Sequence, residues 1–155
     1  MKKIINNKLD KAFGPAGTSA GIFLGLAGIV CTILYAWSAI SLVVIGAFIG
    51  FTSNSTKIDI ENKRVKQSNN IFGFIGLGKW VDINSRMKLG TVDSSMIWRA
   101  YSRSNRQLDI AQKDIRIILY SSNMQQIMPL MKTNSKESAK ENLEKLCDQL
   151  GVQKA

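Results

Sequence analysis

The chain has 155 residues, enough for one compact domain with a small additional element. It carries 21 basic and 11 acidic side chains and no histidine, which excludes Ser-His-Asp triads, Cys-His dyads and histidine-based zinc sites. The two cysteines, Cys31 and Cys147, are too few for a disulfide framework or a four-thiolate metal site, so we expect no metal and no cofactor.

The N-terminal third of the chain is divided by charge. Residues 1–12 contain four lysines and are predicted to form a basic cytoplasmic leader, whereas residues 12–56 contain no charged side chain. A helix crosses a bilayer core of about 30 Å with roughly 20 apolar residues, so this run is too long for one span and suits two. We predict a transmembrane helical hairpin over residues 13–54, with spans at 16–35 and 39–53.

A cleaved signal peptide is the alternative interpretation of the same run. Lys2 and Lys3 give the chain a basic start, and Ala36-Trp37-Ser38, where we expect the turn between the spans, resembles a cleavage site. The apolar run continues well beyond this point and is too long for the apolar region of a signal peptide. The hairpin is therefore the favoured interpretation.

The charges on either side of the hairpin predict its orientation. Four lysines precede the first span, a second basic cluster follows the second span, and the expected turn has no charge. Because the cytoplasmic flanks of membrane spans are enriched in Lys and Arg, both termini are predicted to face the cytoplasm. We therefore expect a multi-pass protein of the inner (cytoplasmic) membrane.

Glycines recur at helical spacing in both predicted spans. Gly17, Gly21 and Gly25 lie four residues apart in the first span, and Gly46 and Gly50 repeat this spacing in the second. A helix face without side chains lets another helix approach closely. The packing partner is either the other half of the hairpin, a second copy of the chain or another membrane protein. No charged residue lies within the run, which argues against an ion or proton path.

Residues 55–155 are predicted to form a cytoplasmic domain of strands followed by one helix. Extended segments separated by polar turns indicate an antiparallel β-barrel or sandwich of about seven strands. A helical period follows over 135–151, with Asn134 or Ser135 as its N-cap and Gly151 just past its end. Cys147 lies on the apolar face of this helix and is interpreted as a small hydrophobic residue rather than a nucleophile. The predicted extended segments are 57–60, 64–72, 79–83, 87–92, 96–104, 107–111, 114–121 and 127–132.

This order of elements resembles that of a known fold. The residues that carry the likeness are 57–65 (Lys-Ile-Asp-Ile-Glu-Asn-Lys-Arg-Val), the glycine-rich loop that leads into Gly78-Lys79-Trp80, and the helix at 135–151. Together they resemble the pleckstrin-homology-like fold. More narrowly, the chain resembles small bacterial membrane proteins with two N-terminal spans and a cytosolic pleckstrin-homology-like domain. The resemblance implies a fold for residues 55–155 and a bacterial inner-membrane location, and it implies little about activity.

A basic group follows the second predicted span and has two compatible interpretations. Lys57, Lys63, Arg64 and Lys66 would lie near the membrane surface, where each cation is attracted to anionic head groups by about 1 kcal/mol. The same residues also form the positive flank that orients the hairpin. Anionic lipid head groups are therefore predicted as ligands of this group.

A second basic patch is predicted on one strand. Arg99, Tyr101 and Arg103 alternate along it, and basic aromatic patches of this kind bind nucleic acids in other proteins. Acidic residues are interspersed with the basic ones in this domain, which favours a solvated strand face or a docking surface for an acidic protein partner. We therefore predict a partner patch here and no nucleic-acid binding.

The sequence contains no recognisable catalytic constellation. The glycine-rich segment 73–78 lacks the Gly-Lys-Ser/Thr ending of a phosphate loop, and no pair of carboxylates is placed as acid and base. The sequence therefore predicts a non-enzymatic, membrane-anchored scaffold or accessory subunit, as a homo-oligomer or as part of a larger membrane complex. The alternative function is a module that senses anionic lipids.

Overall fold

The computed structural model describes residues 4–101 and 107–155 of the chain. Within them, two apolar helices near the N-terminus are followed by β-sheets and a C-terminal helix, so the expected α+β character is confirmed. A 3-10 turn at Trp37–Ala39 connects the first two helices. The elements in chain order are β1 (Ile4–Lys11), α1 (Gly14–Leu34), α2 (Ile40–Phe51), β2 (Ser53–Asp59), β3 (Arg64–Ile71), β4 (Ile75–Leu77), β5 (Trp80–Asp82), β6 (Lys88–Tyr101), β7 (Gln107–Tyr120), β8 (Gln126–Thr133), α3 (Lys136–Leu150) and β9 (Gln153–Lys154).

The N-terminal segment is a strand of the folded domain and not a separate leader. β1 pairs antiparallel with β2, and the pairing ends with Lys11 opposite Ser53. The side-chain amide of Asn7 also donates a hydrogen bond of 3.0 Å to the carbonyl oxygen of Leu130 in β8. Residues 4–11 of the predicted leader therefore form a strand of the first sheet. The partner strand of β1, β2, follows both helices in the sequence. The residues around β1 therefore contain no local pattern that predicts this pairing.

The uncharged run forms two helices of unequal length. α1 has 21 residues and a length of about 32 Å, enough to cross a bilayer core. α2 has 12 residues and a length of about 18 Å. It ends at Phe51 because the backbone of Thr52 is extended and β2 begins at Ser53. Among the described residues, α1 is the one helix long and apolar enough to span a membrane, so two full-length spans are not supported.

The strands form two sheets. The first has the order β1-β2-β3-β4, with β5 also paired to β3, and the second has the order β8-β7-β6-β9. The sheets contact each other through β8, where the Thr56 hydroxyl of β2 donates to the carbonyl oxygen of Pro129 at 2.8 Å. The described strands do not close into a barrel, which corrects the barrel form of the prediction.

The core lies between the two sheets and α3. The predicted C-terminal helix is confirmed: the Ser135 hydroxyl accepts a hydrogen bond from the Ser138 N–H at 3.2 Å, and Gly151 ends the helix with a φ of 70°. This left-handed conformation favours glycine because it has no Cβ. The buried side chains that meet in the core include Ile58, Val65, Leu89, Leu119, Leu130, Leu146 and Leu150.

β6 and β7 extend beyond the second sheet as a two-stranded arm. Each has 14 residues, whereas the sequence predicted two shorter strands in each place. Residues 93–95 lie between two of the predicted segments, and in the structure they continue the ladder with β7. Residues 95–101 and 107–113 pair with each other and with no third strand among the described residues. We call this part the ribbon, and its length is about 24 Å.

Candidate functional site

α1 and α2 pack against each other through glycines. A Cβ atom built on Gly21 would lie 2.6 Å from the backbone nitrogen of Gly50, and one built on Gly46 would overlap the backbone of Gly25. These contacts run antiparallel and bring the two helix backbones together where lipid would supply no hydrophobic driving force. In this structure, four of the five predicted packing glycines therefore join the two helices of one chain.

Gly17, the fifth predicted packing glycine, lies outside this contact. A Cβ there would meet the Cβ of Phe13 at 2.8 Å, and no atom of α2 lies within contact range of that position. Gly28 occupies the contact instead, since its Cβ would lie 2.8 Å from the backbone nitrogen of Val43. A strict four-residue spacing drifts around a helix of 3.6 residues per turn, so the contact follows Gly21, Gly25 and Gly28.

The outer surface of the helix pair is apolar, and many of its large side chains are exposed. Phe23 and Ile33 of α1 are 74% and 77% exposed. A soluble monomer rarely exposes a continuous apolar surface of more than a few hundred Å². The exposed large side chains on the two helices also include Ile22, Leu26, Ile29, Val30, Leu34, Ile40, Val44, Ile45 and Phe48.

The four predicted lipid-contact residues are divided between two places. Lys63 and Arg64 lie at the turn between β2 and β3, at the far end of these strands from α2, which is a distance of about 20 Å. The Nζ atom of Lys63 lies 3.2 Å from the position of a Cβ on Gly151, beside the C-terminus of α3. A helix C-terminus attracts cations through its dipole, so Lys63 stabilises the C-terminal end of α3.

The side chain of Arg64 contacts two neighbouring side chains, Asp59 and Trp80. Its Nε atom lies 3.1 Å from Oδ2 of the buried Asp59, and its guanidinium lies 4.7 Å from the centroid of the Trp80 ring. Hydrogen bonds from Asn62, together with Arg64, hold the pKa of the Asp59 carboxyl below its usual range, although burial acts in the opposite direction. Arg64 therefore stabilises the turn between β2 and β3 rather than presenting a free cation.

Lys57 and Lys66 lie directly opposite each other on β2 and β3. Like charges in directly opposed positions repel each other. Lys57 also lines a cleft of about 490 Å³ beside the C-terminal end of α2. Lys8 and Lys11 of β1 line the same cleft, which we call the lysine cleft. Sequence reasoning treated these two lysines only as a flank of the first span, because the pairing of β1 with β2 was not foreseen.

A row of phenylalanine rings connects the ends of the helices with the turn between β3 and β4. The ring centroids are separated by 5.6 Å for Phe13 and Phe48, 5.8 Å for Phe48 and Phe72, and 6.4 Å for Phe72 and Phe74. The turn depends on Gly73, which has a φ of 82° that few other residues adopt. It presents the Phe74 ring on the surface with 79% exposure, where the ring lines the lysine cleft.

Four charged side chains form a closed ring where β1 meets β7 and β8, and we call it the ion ring. Nη2 of Arg116 lies 2.9 Å from Oδ2 of Asp10 and 3.1 Å from Oδ2 of Asp114. Nζ of Lys132 lies 2.9 Å from Oδ1 of Asp10 and 2.8 Å from Oδ2 of Asp114. The ring joins the first sheet to the second through Asp10, which lies four residues before α1 begins at Gly14. It therefore fixes the N-terminal end of α1 relative to the second sheet.

The ion ring shifts the titration of its members. Burial raises the pKa of Asp114, but hydrogen bonds from Arg116 and Lys132 lower it by more, so the carboxyl titrates below its usual range. Burial lowers the pKa of Lys132, but its bonds to Asp114 and Asp10 raise it by more. Sequence reasoning missed the ring because its members come from three strands.

The predicted partner patch belongs to the ribbon. Arg99 and Tyr101 lie in β6, opposite Asp109 and Gln107 of β7, and Arg103 lies outside the described residues. Within residues 4–101 and 107–155, no group of three Cys, Asp or Glu side chains is placed to hold a metal ion.

Comparisons with known proteins add no relative. The chain matches no protein-family model, and no curated protein and no solved structure is significantly similar to it. Inferences about its function therefore depend on the geometry of the chain itself.

Proposed function

We propose that the chain is a non-enzymatic membrane protein whose two apolar helices anchor an α+β interaction domain at the cytoplasmic face of a bacterial inner membrane. The exposed apolar side chains of α1 and α2 carry this proposal. Transfer of one Leu, Ile or Phe side chain from water to an apolar phase is favourable by about 2 kcal/mol. A helix pair that exposes many large apolar side chains, with glycines where its members approach most closely, is therefore stabilised by lipid.

The pairing of β1 with β2 supports a topology with both flanks of the helix pair on one side. Lys11 precedes α1 and Ser53 follows α2, and the two residues are strand partners. The lysines near this end, including Lys8 and Lys57, favour the cytoplasmic side. We propose that α2 also enters the bilayer, because a short helix is accommodated by local thinning of the membrane at modest cost.

The ribbon supports a role in assembly. Two-stranded ribbons are marginally stable in water by themselves, and Ile97 near the middle of this one is 57% exposed. An extended arm of this kind suits contact with a second copy or with another membrane protein.

We also propose that the domain has a pleckstrin-homology-like fold. The support for this assignment is the succession of antiparallel strands followed by one C-terminal helix.

Carbonate washing of membranes tests the anchoring. We expect the full-length chain to stay in the membrane pellet at alkaline pH and to be released by detergent. Replacing two outward residues, Leu26→Lys with Ile33→Lys, should shift the chain towards the soluble fraction or prevent its accumulation. The matched pair Met124→Lys with Ile127→Lys alters exposed apolar residues of the domain and should leave the distribution unchanged. Release of the parent chain by carbonate would contradict the proposal.

A further inference from the structure

The lysine cleft combines cations and aromatic rings at one end of the helix pair. Lys8 and Lys11 of β1 and Lys57 of β2 line it from the sheet. Phe51, the last residue of α2, and Phe74, in the turn between β3 and β4, line it from the side of the helices. The cleft therefore lies where the apolar helix surface ends and the polar domain begins.

The three lysines of the cleft are available for a ligand. None of them forms an ion pair or a side-chain hydrogen bond with a described residue. Asp10 is the one carboxylate that lines the cleft, and both of its oxygens are held by Arg116 and Lys132 of the ion ring. The cleft therefore has a net positive charge that the described part of the protein does not neutralise.

The opposite wall has a different chemistry. Phe51 is 53% exposed, and Phe74 continues the row of rings that reaches the helices through Phe72 and Phe48. A ligand that fits both walls has an anionic head for the lysines and an apolar chain that runs along the rings towards the helix surface. A phospholipid has these two parts in this order.

We propose that the lysine cleft binds the phosphate group of an anionic phospholipid, with Lys8, Lys11 and Lys57 around the phosphate oxygens and the acyl chains beside Phe51 and Phe74. Asn54 also lines the cleft and supplies an amide for the glycerol or phosphate oxygens. The assignment rests on the proposed membrane anchoring. It differs from the expectation based on sequence, which included Lys63 and Arg64 at the far end of β2 and β3.

Lipid binding to the full-length chain in neutral detergent micelles tests the site, with native mass spectrometry as the readout. The probes are phosphatidylglycerol, phosphatidylcholine and inorganic phosphate. We expect the chain to bind phosphatidylglycerol more tightly than phosphatidylcholine. The double variant Lys8→Gln with Lys57→Gln should weaken phosphatidylglycerol binding by about thirtyfold, because each of the two lysines contributes to the attraction at an anionic surface.

A charge-matched double variant controls for the loss of net charge. Lys63→Gln with Lys140→Gln removes two exposed lysines outside the cleft and should change the affinity by less than about twofold. Equal loss in both double variants, or unchanged binding by the cleft variant, would overturn the site. Displacement of phosphatidylglycerol by inorganic phosphate at equal concentration would overturn the lipid as the source of the phosphate. The cleft variant should still resist carbonate extraction, so failure of the site and failure of the anchoring are distinguishable.

Discussion

Gly25 and Gly46 face each other across the helix pair, yet only one of the two positions is closed to a side chain. A Cβ on Gly46 would overlap the backbone of Gly25, whereas the nearest atoms to a Cβ on Gly25 lie 3.8 Å away, at Gly46. The asymmetry arises because the two Cα–Cβ directions differ: one points into the facing backbone and the other points beside it.

This asymmetry predicts opposite results for two identical substitutions. Gly46→Ala should separate the helices and lower the stability of the full-length chain in detergent by about 1 to 3 kcal/mol, as overpacking does. Gly25→Ala should be neutral or stabilising, since alanine favours a helix over glycine by about 1 kcal/mol. Thermal unfolding of the two variants measures the difference. Equal melting temperatures would contradict the packing of α1 against α2.

Cysteine labelling is expected to show the turn between α1 and α2 outside the cell and the α+β domain on the cytoplasmic side. In a background with Cys31→Ala and Cys147→Ala, Ser38→Cys in the 3-10 turn should react with an impermeant maleimide in intact bacterial cells. Ser122→Cys in the turn between β7 and β8 should react only after lysis. Both positions are exposed, so access depends on the side of the membrane. Labelling of position 122 in intact cells would reverse the proposed orientation.

Removal of one carboxylate from the ion ring is expected to destabilise the domain. Asp114→Asn leaves Arg116 and Lys132 with half of their acidic partners, and breaking a buried ion pair costs about 3 kcal/mol. The control is Asp93→Asn, because Asp93 is exposed and lies 3.8 Å from Lys136 at the surface. Such pairs contribute less than about 1 kcal/mol. Melting temperatures at neutral pH should separate the two variants clearly.

The same carboxylate predicts an acid-dependent loss of stability. The pKa of Asp114 is lowered in the folded chain, so its stabilising contribution is complete above the unfolded value of about 3.9. This contribution is lost as the pH falls below that value and through the folded pKa. The melting temperature of the parent should therefore fall in this range, and Asp114→Asn should show a smaller fall. Parallel acid profiles would contradict the role of the ring.

Shortening the ribbon is expected to prevent assembly of the chain without preventing its folding. Residues 96–112 can be replaced by Asn-Gly, which suits a two-residue hairpin, because Ser95 and Lys113 are strand partners. The core residues lie outside the ribbon, so the melting temperature should change little. Crosslinking in native membranes should yield a discrete larger product with the parent and not with the shortened chain. The same product from both chains would exclude the ribbon as the contact surface.

Local patterns predicted some parts of this structure and not others. α3 was predictable because Ser135, Gly151 and the apolar period lie within one segment. The lysine cleft and the ion ring depend on the position of β1, whose partner follows two helices. Only the two-residue spacing of Asp114 and Arg116, which places them on one face of β7, gave a local indication of the ring. The sequence predicts Lys57 as a lipid contact, but it gives no sign that Lys8 and Lys11 lie beside Lys57 in the lysine cleft.

The position of β1 also determines the order in which the chain can fold. β1 is synthesised before α1 and α2, but its partner β2 appears only after both helices have been made. On the proposed topology, β1 therefore waits unpaired until both helices have entered the membrane and the chain has returned to the cytoplasm. If α1 alone crossed the membrane, β1 and β2 would lie on opposite sides, and Asp10 could not reach Arg116 and Lys132. On the proposed topology, completion of the first sheet thereby depends on the return of the chain through α2.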